Sequence, residues 1–289
     1  MSDQRTKIFR LIETADNFVK YSQPGRADRG ARRARKRLEK AQDLAVAAGD
    51  LEMQEQIRLR LEDLERRAAL PDDATGPDVT GPDNADSLTA ALPEHAAARV
   101  PPGQRLKKGW PVLHEGPVPK FDTRTWRLSV NGLVGRSLEL TYEELKALPS
   151  TEMTSDFHCV TGWSKLDNLW RGVQTKVLMD MAQPGAGARH VTVHAEYGYT
   201  ANLPLDVLME DTSMVTWSHN GADLAPKHGY PLRLIVPRLY AWKSVKWVRS
   251  FELLDEDRRG FWEVRGYHNR ADPWLEERYS YQEGNKQES

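Results

Sequence analysis

Apolar and polar positions follow three regimes along the chain. Over residues 1–70 they recur at helical spacing: Ile8, Leu11, Ile12 and Ala15 share a face, Phe18, Val19 and Tyr21 continue it, and Pro24-Gly25 breaks it. A second helix is expected from about Asp28 to Ala48, with Gly49 suited to its end and Asp50 to the N-cap of a third. In that third helix Met53, Ile57, Leu61 and Leu64 form one apolar stripe. The pattern predicts an antiparallel helical hairpin. Its charged outer face, Arg58, Arg60, Glu62, Glu65, Arg66 and Arg67, reads as solvated and held by local ion pairs. So small a hairpin buries little alone, and it is expected to dock on the main domain or on a protein partner.

The second regime runs over residues 71–98. Gly76-Pro77, Gly81-Pro82, several aspartates and few large apolar residues predict a flexible linker.

Short alternating and helical patterns then follow from Arg99. Trp126, Leu128 and Val130 alternate with polar neighbours as in a half-buried strand, and Asn131-Gly132 predicts a tight turn. Thr141 and Glu144 have capping-box spacing, which predicts a helix over Thr141 to Leu148 that stops before Pro149. Gly172 to Met181 has helical character, and His190 to Ala195 reads as a strand. Pro204 fits the first turn of a short helix, and Asn220-Gly221 signals a turn. Leu232 to Val236 predicts a buried strand, and Val245, Trp247, Phe251 and Leu253 predict the apolar face of the last one. Short strands mixed with short helices, without regular βαβ alternation, give an α+β class. The expected divisions are 1–70 helical hairpin, 71–98 linker, 99–281 main domain and 282–289 polar tail.

Composition narrows the function classes. The 41 basic and 42 acidic side chains nearly cancel, so no global charge points to nucleic acid. A single cysteine excludes an intrachain disulfide, and with no apolar N-terminal run it predicts a cytoplasmic setting. No stretch is long and apolar enough to span a bilayer.

The candidate chemistry gathers in SDFHCVTGWSKLDNLW, Ser155 to Trp170, around that one cysteine, Cys159. Asp156, His158, Thr161, Trp163 and Ser164 are more polar groups than a packing thiol needs, and they suit the orientation of a ligand held by a thiolate. Two other readings start from the same residues. One is a zinc site drawing on Cys159, His158, His190 and His194. The other is a non-catalytic interaction protein that works through the helical hairpin.

Residues 101–279 resemble the molybdenum-cofactor domain of the sulfite oxidase superfamily, in particular its small bacterial branch. The resemblance is carried by WPVLHEGPVPKFD (Trp110 to Asp122), DFHCVTGWSKLDN (Asp156 to Asn168), GYTANLPL (Gly198 to Leu205), HGYPLRLIVP (His228 to Pro237), YAWKSVKW (Tyr240 to Trp247), GFWEVRGYH (Gly260 to His268) and DPWLEERY (Asp272 to Tyr279). It does not reach the hairpin or the linker. It implies a sulfite-oxidase-type mixed sheet and a molybdenum-molybdopterin cofactor, with Cys159 as the metal ligand and catalytic residue. It also implies a phosphate-binding turn over Lys243, Ser244, Val245 and Lys246, and further cofactor contacts from Arg233, His228 and His114.

The implied reaction is oxygen-atom transfer on a small molecule, either sulfoxide or N-oxide reduction or sulfite-type oxidation. Close relatives often carry an arginine where this chain has Gly162, a departure that Lys165, Arg171 or Arg238 could offset. The chain has no CxxCH haem motif and no cysteine set for an iron–sulfur cluster, so electrons are expected from a separate partner, with the hairpin as a candidate docking element.

Overall fold

The computed structural model describes residues 3–20, 27–68 and 94–286, which divide into two units. The first holds the helices α1 (Asp3–Lys20), α2 (Ala27–Ala47) and α3 (Leu51–Ala68), together with residues 109–118 and 264–266. α1 packs on α2 and α2 on α3. The expected turn at Pro24-Gly25 and most of the expected linker lie outside the described residues. The start of α3 follows the sequence, since Asp50 Oδ1 accepts the Met53 amide at 3.1 Å.

One face of α3 departs from expectation. Arg60, expected in solvent, is 4 % exposed, and its Nε donates to Asp16 at 3.1 Å. Its Nη1 also reaches the Arg265 carbonyl, while Arg265 Nη2 donates to the buried Asp63 at 2.9 Å. Charged residues at these positions are therefore interior groups of the first unit, satisfied by one another. Arg58 does behave as read, bonding Glu55 at 2.6 Å on the exposed side.

The second unit holds the described residues 94–108, 119–263 and 267–286. It begins with a four-residue helical turn α4 (Glu94–Ala97) and continues through β1 (Arg105–Leu106), β2 (Arg127–Gly132), β3 (Leu138–Thr141), α5 (Tyr142–Ala147), β4 (Thr151–Cys159), β5 (Trp163–Gln174) and α6 (Thr175–Ala182). Then come β6 (His190–Ala195), β7 (Thr200–Pro204), α7 (Leu205–Met209), β8 (Met214–His219), β9 (Ala222–Asp223), β10 (Arg233–Ile235) and β11 (Val248–Leu254). Among the described residues the strands form two mixed sheets. A six-stranded one runs β1-β5-β8-β10, with β4 beside β5 and β9 beside β8, and a five-stranded one runs β3-β2-β11-β6-β7. The α+β class is thus observed directly.

Local rules account for several elements. Leu128 and Val130 point into the core as the alternation predicted, and the Thr141/Glu144 capping box is present in both directions. Between the sheets Trp126, Leu128, Val130, Val173, Val191, Val193, Val215, Leu232, Leu234, Phe251 and Leu253 make one buried cluster.

Other expectations are corrected by pairing. Asn131 and Gly132 form no tight turn but continue β2, in register with Glu252 and Leu253 of β11. Gly172, Val173 and Gln174 finish β5, and the helix begins at Thr175. A Cβ on Gly172 would lie 2.0 Å from the Val215 carbonyl oxygen, so the residue that looked like a helix start serves close strand approach. Pro204 closes β7 and caps α7 from outside. Val245 and Trp247 precede β11, with Trp247 at φ +57° ending the turn before it.

Candidate functional site

Cys159 is the last residue of β4, where the antiparallel pairing with β5 fixes which side chains share a face. Cys159 stands opposite Trp163 and Phe157 opposite Lys165, while His158 stands opposite Ser164. Strand alternation therefore puts Cys159, Phe157, Trp163 and Lys165 on one face and the His158–Ser164 pair on the other. His158 Nδ1 and Ser164 Oγ are 2.8 Å apart, and burial pushes the His158 pKa down to about 4.

Cys159 is 7 % exposed, with the Thr161 hydroxyl 3.2 Å from Sγ. That hydroxyl is placed to donate to a thiolate. The turn behind it is tight: the Gly162 amide donates to the Cys159 carbonyl at 3.0 Å, and Gln104 Nε2 donates to the same oxygen at 3.2 Å. Gly162 has φ +87°, a conformation that disfavours any residue with a Cβ. An arginine in its place would strain this turn.

The Cys159 face carries a group of bases. Arg233, from β10, is 2 % exposed and lies with its guanidinium carbon 5.3 Å from the Phe157 ring centre and 5.9 Å from that of Trp170. Its Nη1 donates to the His228 carbonyl at 2.9 Å and its Nη2 to the Ser244 carbonyl at 3.0 Å. These described bonds go to the main chain, and burial lowers the Arg233 pKa to about 9.

The half-buried Lys246 donates to the Lys227 carbonyl at 2.8 Å. Burial holds its pKa well below the usual lysine value; Arg233 and Lys227 add to that, and Cys159 opposes it. His228 is pushed to about 2, chiefly by burial and then by Lys246, Arg233, Lys227 and His219. His219 is pushed to about 3 by burial, Lys165 and Arg233. Its ring lies 4.6 Å from that of Trp170, its strand partner across β5 and β8.

These charges repel one another around the thiol, so an anion bound there would relieve them. A soft thiolate donor beside a cationic wall fits a molybdenum cofactor that carries dithiolene sulfurs and a phosphate. The structure thus brings Cys159, His228, Arg233 and Lys246 to one site. Ser244 contributes through its carbonyl to Arg233 and its hydroxyl to the Val236 amide at 3.0 Å, and the Val245 carbonyl accepts from Leu234 at 2.7 Å.

Lys243 points elsewhere. Its fully buried ammonium lies 2.5 Å from Glu263 and donates to the Asn202 carbonyl and Oδ1 at 2.7 and 2.8 Å. Glu263 also accepts from Trp242 Nε1 at 2.8 Å. His114 belongs to the first unit, where its Nδ1 is 2.9 Å from the Gly116 carbonyl. Of the zinc alternative's histidines, His190 and His194 stand on the other sheet, His194 at 2.9 Å from Glu252 and His190 at 3.7 Å from Asp257. Among the described residues no cluster of three metal-ligating side chains occurs.

His219 was not singled out from the sequence. The register of β8 on β5 places it, and the only local signal was the Asn220-Gly221 turn that follows it.

The low pKa values of His219 and His228 predict acid sensitivity. The unfolded chain binds protons at an ordinary histidine pKa of about 6.5, above both folded values, so it holds more protons throughout the interval between. Their contribution to stability is complete above about pH 6.5 and is lost as pH falls toward about 3. Thermal melts of the cofactor-free protein from pH 7 to pH 4 are expected to show a falling Tm, and His219→Gln should flatten the slope. An unchanged slope would refute this account.

A thiol donor on a buried cationic face at a sheet edge suits an anionic cofactor held through sulfur, and the chain's relatives give the class of protein. The family model described as "Oxidoreductase molybdopterin binding domain" matches residues 115–262, just over half of the chain. The oxidoreductase YuiH of Bacillus subtilis (strain 168) is 46 % identical over 186 residues, covering 64 % of this chain and 94 % of that one. The chain therefore belongs to the molybdopterin-binding oxidoreductase family; it is an oxidoreductase, with molybdenum-molybdopterin as its cofactor.

The protein-methionine-sulfoxide reductase catalytic subunit MsrP of Campylobacter jejuni subsp. jejuni serotype O:2 is 27 % identical over 160 residues, covering 50 % of this chain and 54 % of that one. This chain thus spans little more than half of that relative's length. Among solved structures, the sulfane dehydrogenase SoxCD of Paracoccus pantotrophus superposes with a TM-score of 0.48 at 22 % identity, covering 60 % of this chain and 56 % of that one.

Proposed function

We propose that the protein reduces a small neutral S-oxide or N-oxide by oxygen-atom transfer, drawing electrons from a separate carrier. In this reading Cys159 Sγ is the metal ligand, tuned by the Thr161 hydroxyl. Arg233, His228 and Lys246 hold the anionic part of the cofactor, with the main chain of Lys243, Ser244 and Val245 forming the turn beside it. Lys243 acts as the buried strut of that turn through Glu263 and Asn202. The cofactor, when bound, supplies two-electron oxygen-atom exchange. In the balanced reaction a sulfoxide takes up two electrons and two protons, its sulfur–oxygen bond breaks, and sulfide and water leave.

The observation that carries the substrate class is how the site's cations are engaged. Arg233 and Lys246 give the hydrogen bonds described to main-chain carbonyls, and the Gly162 turn disfavours the arginine found in relatives. A doubly charged oxyanion calls for several charge-assisted donors. The MsrP relative is named as a reductase of protein-bound methionine sulfoxide, which is also a neutral S-oxide. Among the described residues no helix is long and apolar enough to cross a membrane, and the single cysteine supports a cytoplasmic setting on the same terms.

The test is metal and pterin analysis of protein matured in a molybdenum-sufficient host, followed by paired assays. Reduced viologen with dimethyl sulfoxide or trimethylamine N-oxide should turn over, and sulfite with ferricyanide should not. Metal-loaded protein that oxidises sulfite and leaves the neutral oxides untouched would overturn the proposal.

A further inference from the structure

Three residues were candidates to replace the missing arginine, and the fold separates them. Arg238 Nη1 donates to Glu210 at 2.5 Å. Arg171 is exposed and follows Trp170, whose ring faces Arg233 and Phe157, so alternation turns Arg171 to the opposite side of β5. Lys165 alone stands on the Cys159 face. Its cross-strand partner Phe157 is two residues before the cysteine on the same side of β4.

Lys165 also differs from the cations beside it. It is half-buried, and among the described residues its ammonium has no hydrogen-bond or ion-pair partner. Burial pushes its pKa down, and Asp167 opposes the shift from a distance. A half-buried ammonium on this face that no protein group holds is placed to donate to a ligand when one arrives.

A second group is fixed next to it. Asn168 Nδ2 donates to the Lys165 carbonyl at 2.8 Å and to the Ser155 carbonyl at 3.2 Å, so its Oδ1 is an acceptor. His219 Nε2, 3.1 Å from that oxygen, therefore carries the ring proton. The imidazole is clamped between this bond and the face of Trp170, close enough for the Lys165 charge to act on it.

We infer that Lys165, flanked by the Asn168-oriented ring of His219, is the specificity-determining group of the site. It donates to the single oxygen of a neutral sulfoxide or N-oxide bound beside Cys159. This rests on the reaction proposed above. One available ammonium matches one polar oxygen, whereas an oxyanion with several charged oxygens would exceed it.

The test uses metal-loaded holoenzyme in four forms: wild type, Lys165→Met, Lys165→Arg and Arg171→Met. Two quantities are read for dimethyl sulfoxide, kcat/KM with reduced viologen and the Kd from quenching of tryptophan fluorescence in the oxidised protein. Lys165→Met should keep its molybdenum and weaken both quantities about tenfold to a hundredfold, the size of one charge-assisted hydrogen bond. The effect on turnover should fall on KM more than on kcat. Lys165→Arg should recover most of the loss, and Arg171→Met should match wild type. Equal Kd values for wild type and Lys165→Met would overturn the inference while leaving the proposed reaction standing. Loss of molybdenum from Lys165→Met would overturn it as well, since the lysine would then hold the cofactor. Wild-type holoenzyme that neither binds nor reduces any neutral oxide would remove the proposed reaction, and this inference with it.

Discussion

A Cys159→Ser protein is expected to fold, yet lose turnover by about a hundredfold or more. Loss of a mere outer partner of a metal ligand already costs about 10- to 100-fold, and serine removes the ligand sulfur itself. Its stability should stay within about 1 kcal/mol of wild type, because the new hydroxyl keeps the volume and finds the Thr161 hydroxyl, 3.2 Å from the original sulfur. The check pairs a thermal melt with turnover and the visible absorption of the metal-loaded enzyme. Turnover and spectrum should both change while the melt does not. Wild-type turnover with an unaltered spectrum would remove Cys159 from the site.

The second large effect is on folding. Glu263→Gln leaves the Lys243 ammonium buried without its counter-charge, and breaking one side of such a pair costs about 3–5 kcal/mol. For a chain of this size that corresponds to a Tm lowered by roughly 6–20 °C. Lys243→Met combined with Glu263→Leu should regain much of the loss, because replacing both charges avoids the uncompensated one. The double-mutant cycle by thermal melts checks this, and additive losses would contradict it. Lys243 immediately precedes Ser244 to Lys246, so the single variant should also retain less molybdenum. That separates a structural role for the lysine from direct capture of a phosphate.

How far the sequence could be read depended on the range of the physics involved. The three helices of the first unit, the capping box at Thr141 and the alternation at Leu128 and Val130 all arise from neighbours within a few residues. The motifs whose order along the chain carries the family resemblance also contain Cys159, Arg233, Lys246 and the neutral His228, which the fold gathers on one face. Gly172 misled because its role depends on Val215, some forty positions away, and Asn131-Gly132 because the partner strand β11 decides whether such a pair turns or continues. Arg60 looked solvated for a similar reason, since its partner Arg265 lies about two hundred residues on.

The sequence by itself determined the helical and strand periods, the α+β class and the family, and it singled out Cys159, because each rests on local spacing or ordered motifs. Only the tertiary structure decided which way each charge points. It turned Lys243 inward to Glu263, Arg171 away from the site and Lys165 toward Cys159, and it set His219 against Trp170. The physical reason is strand pairing: one residue of register moves a side chain from one face of a sheet to the other, and register is fixed by partners distant in the chain.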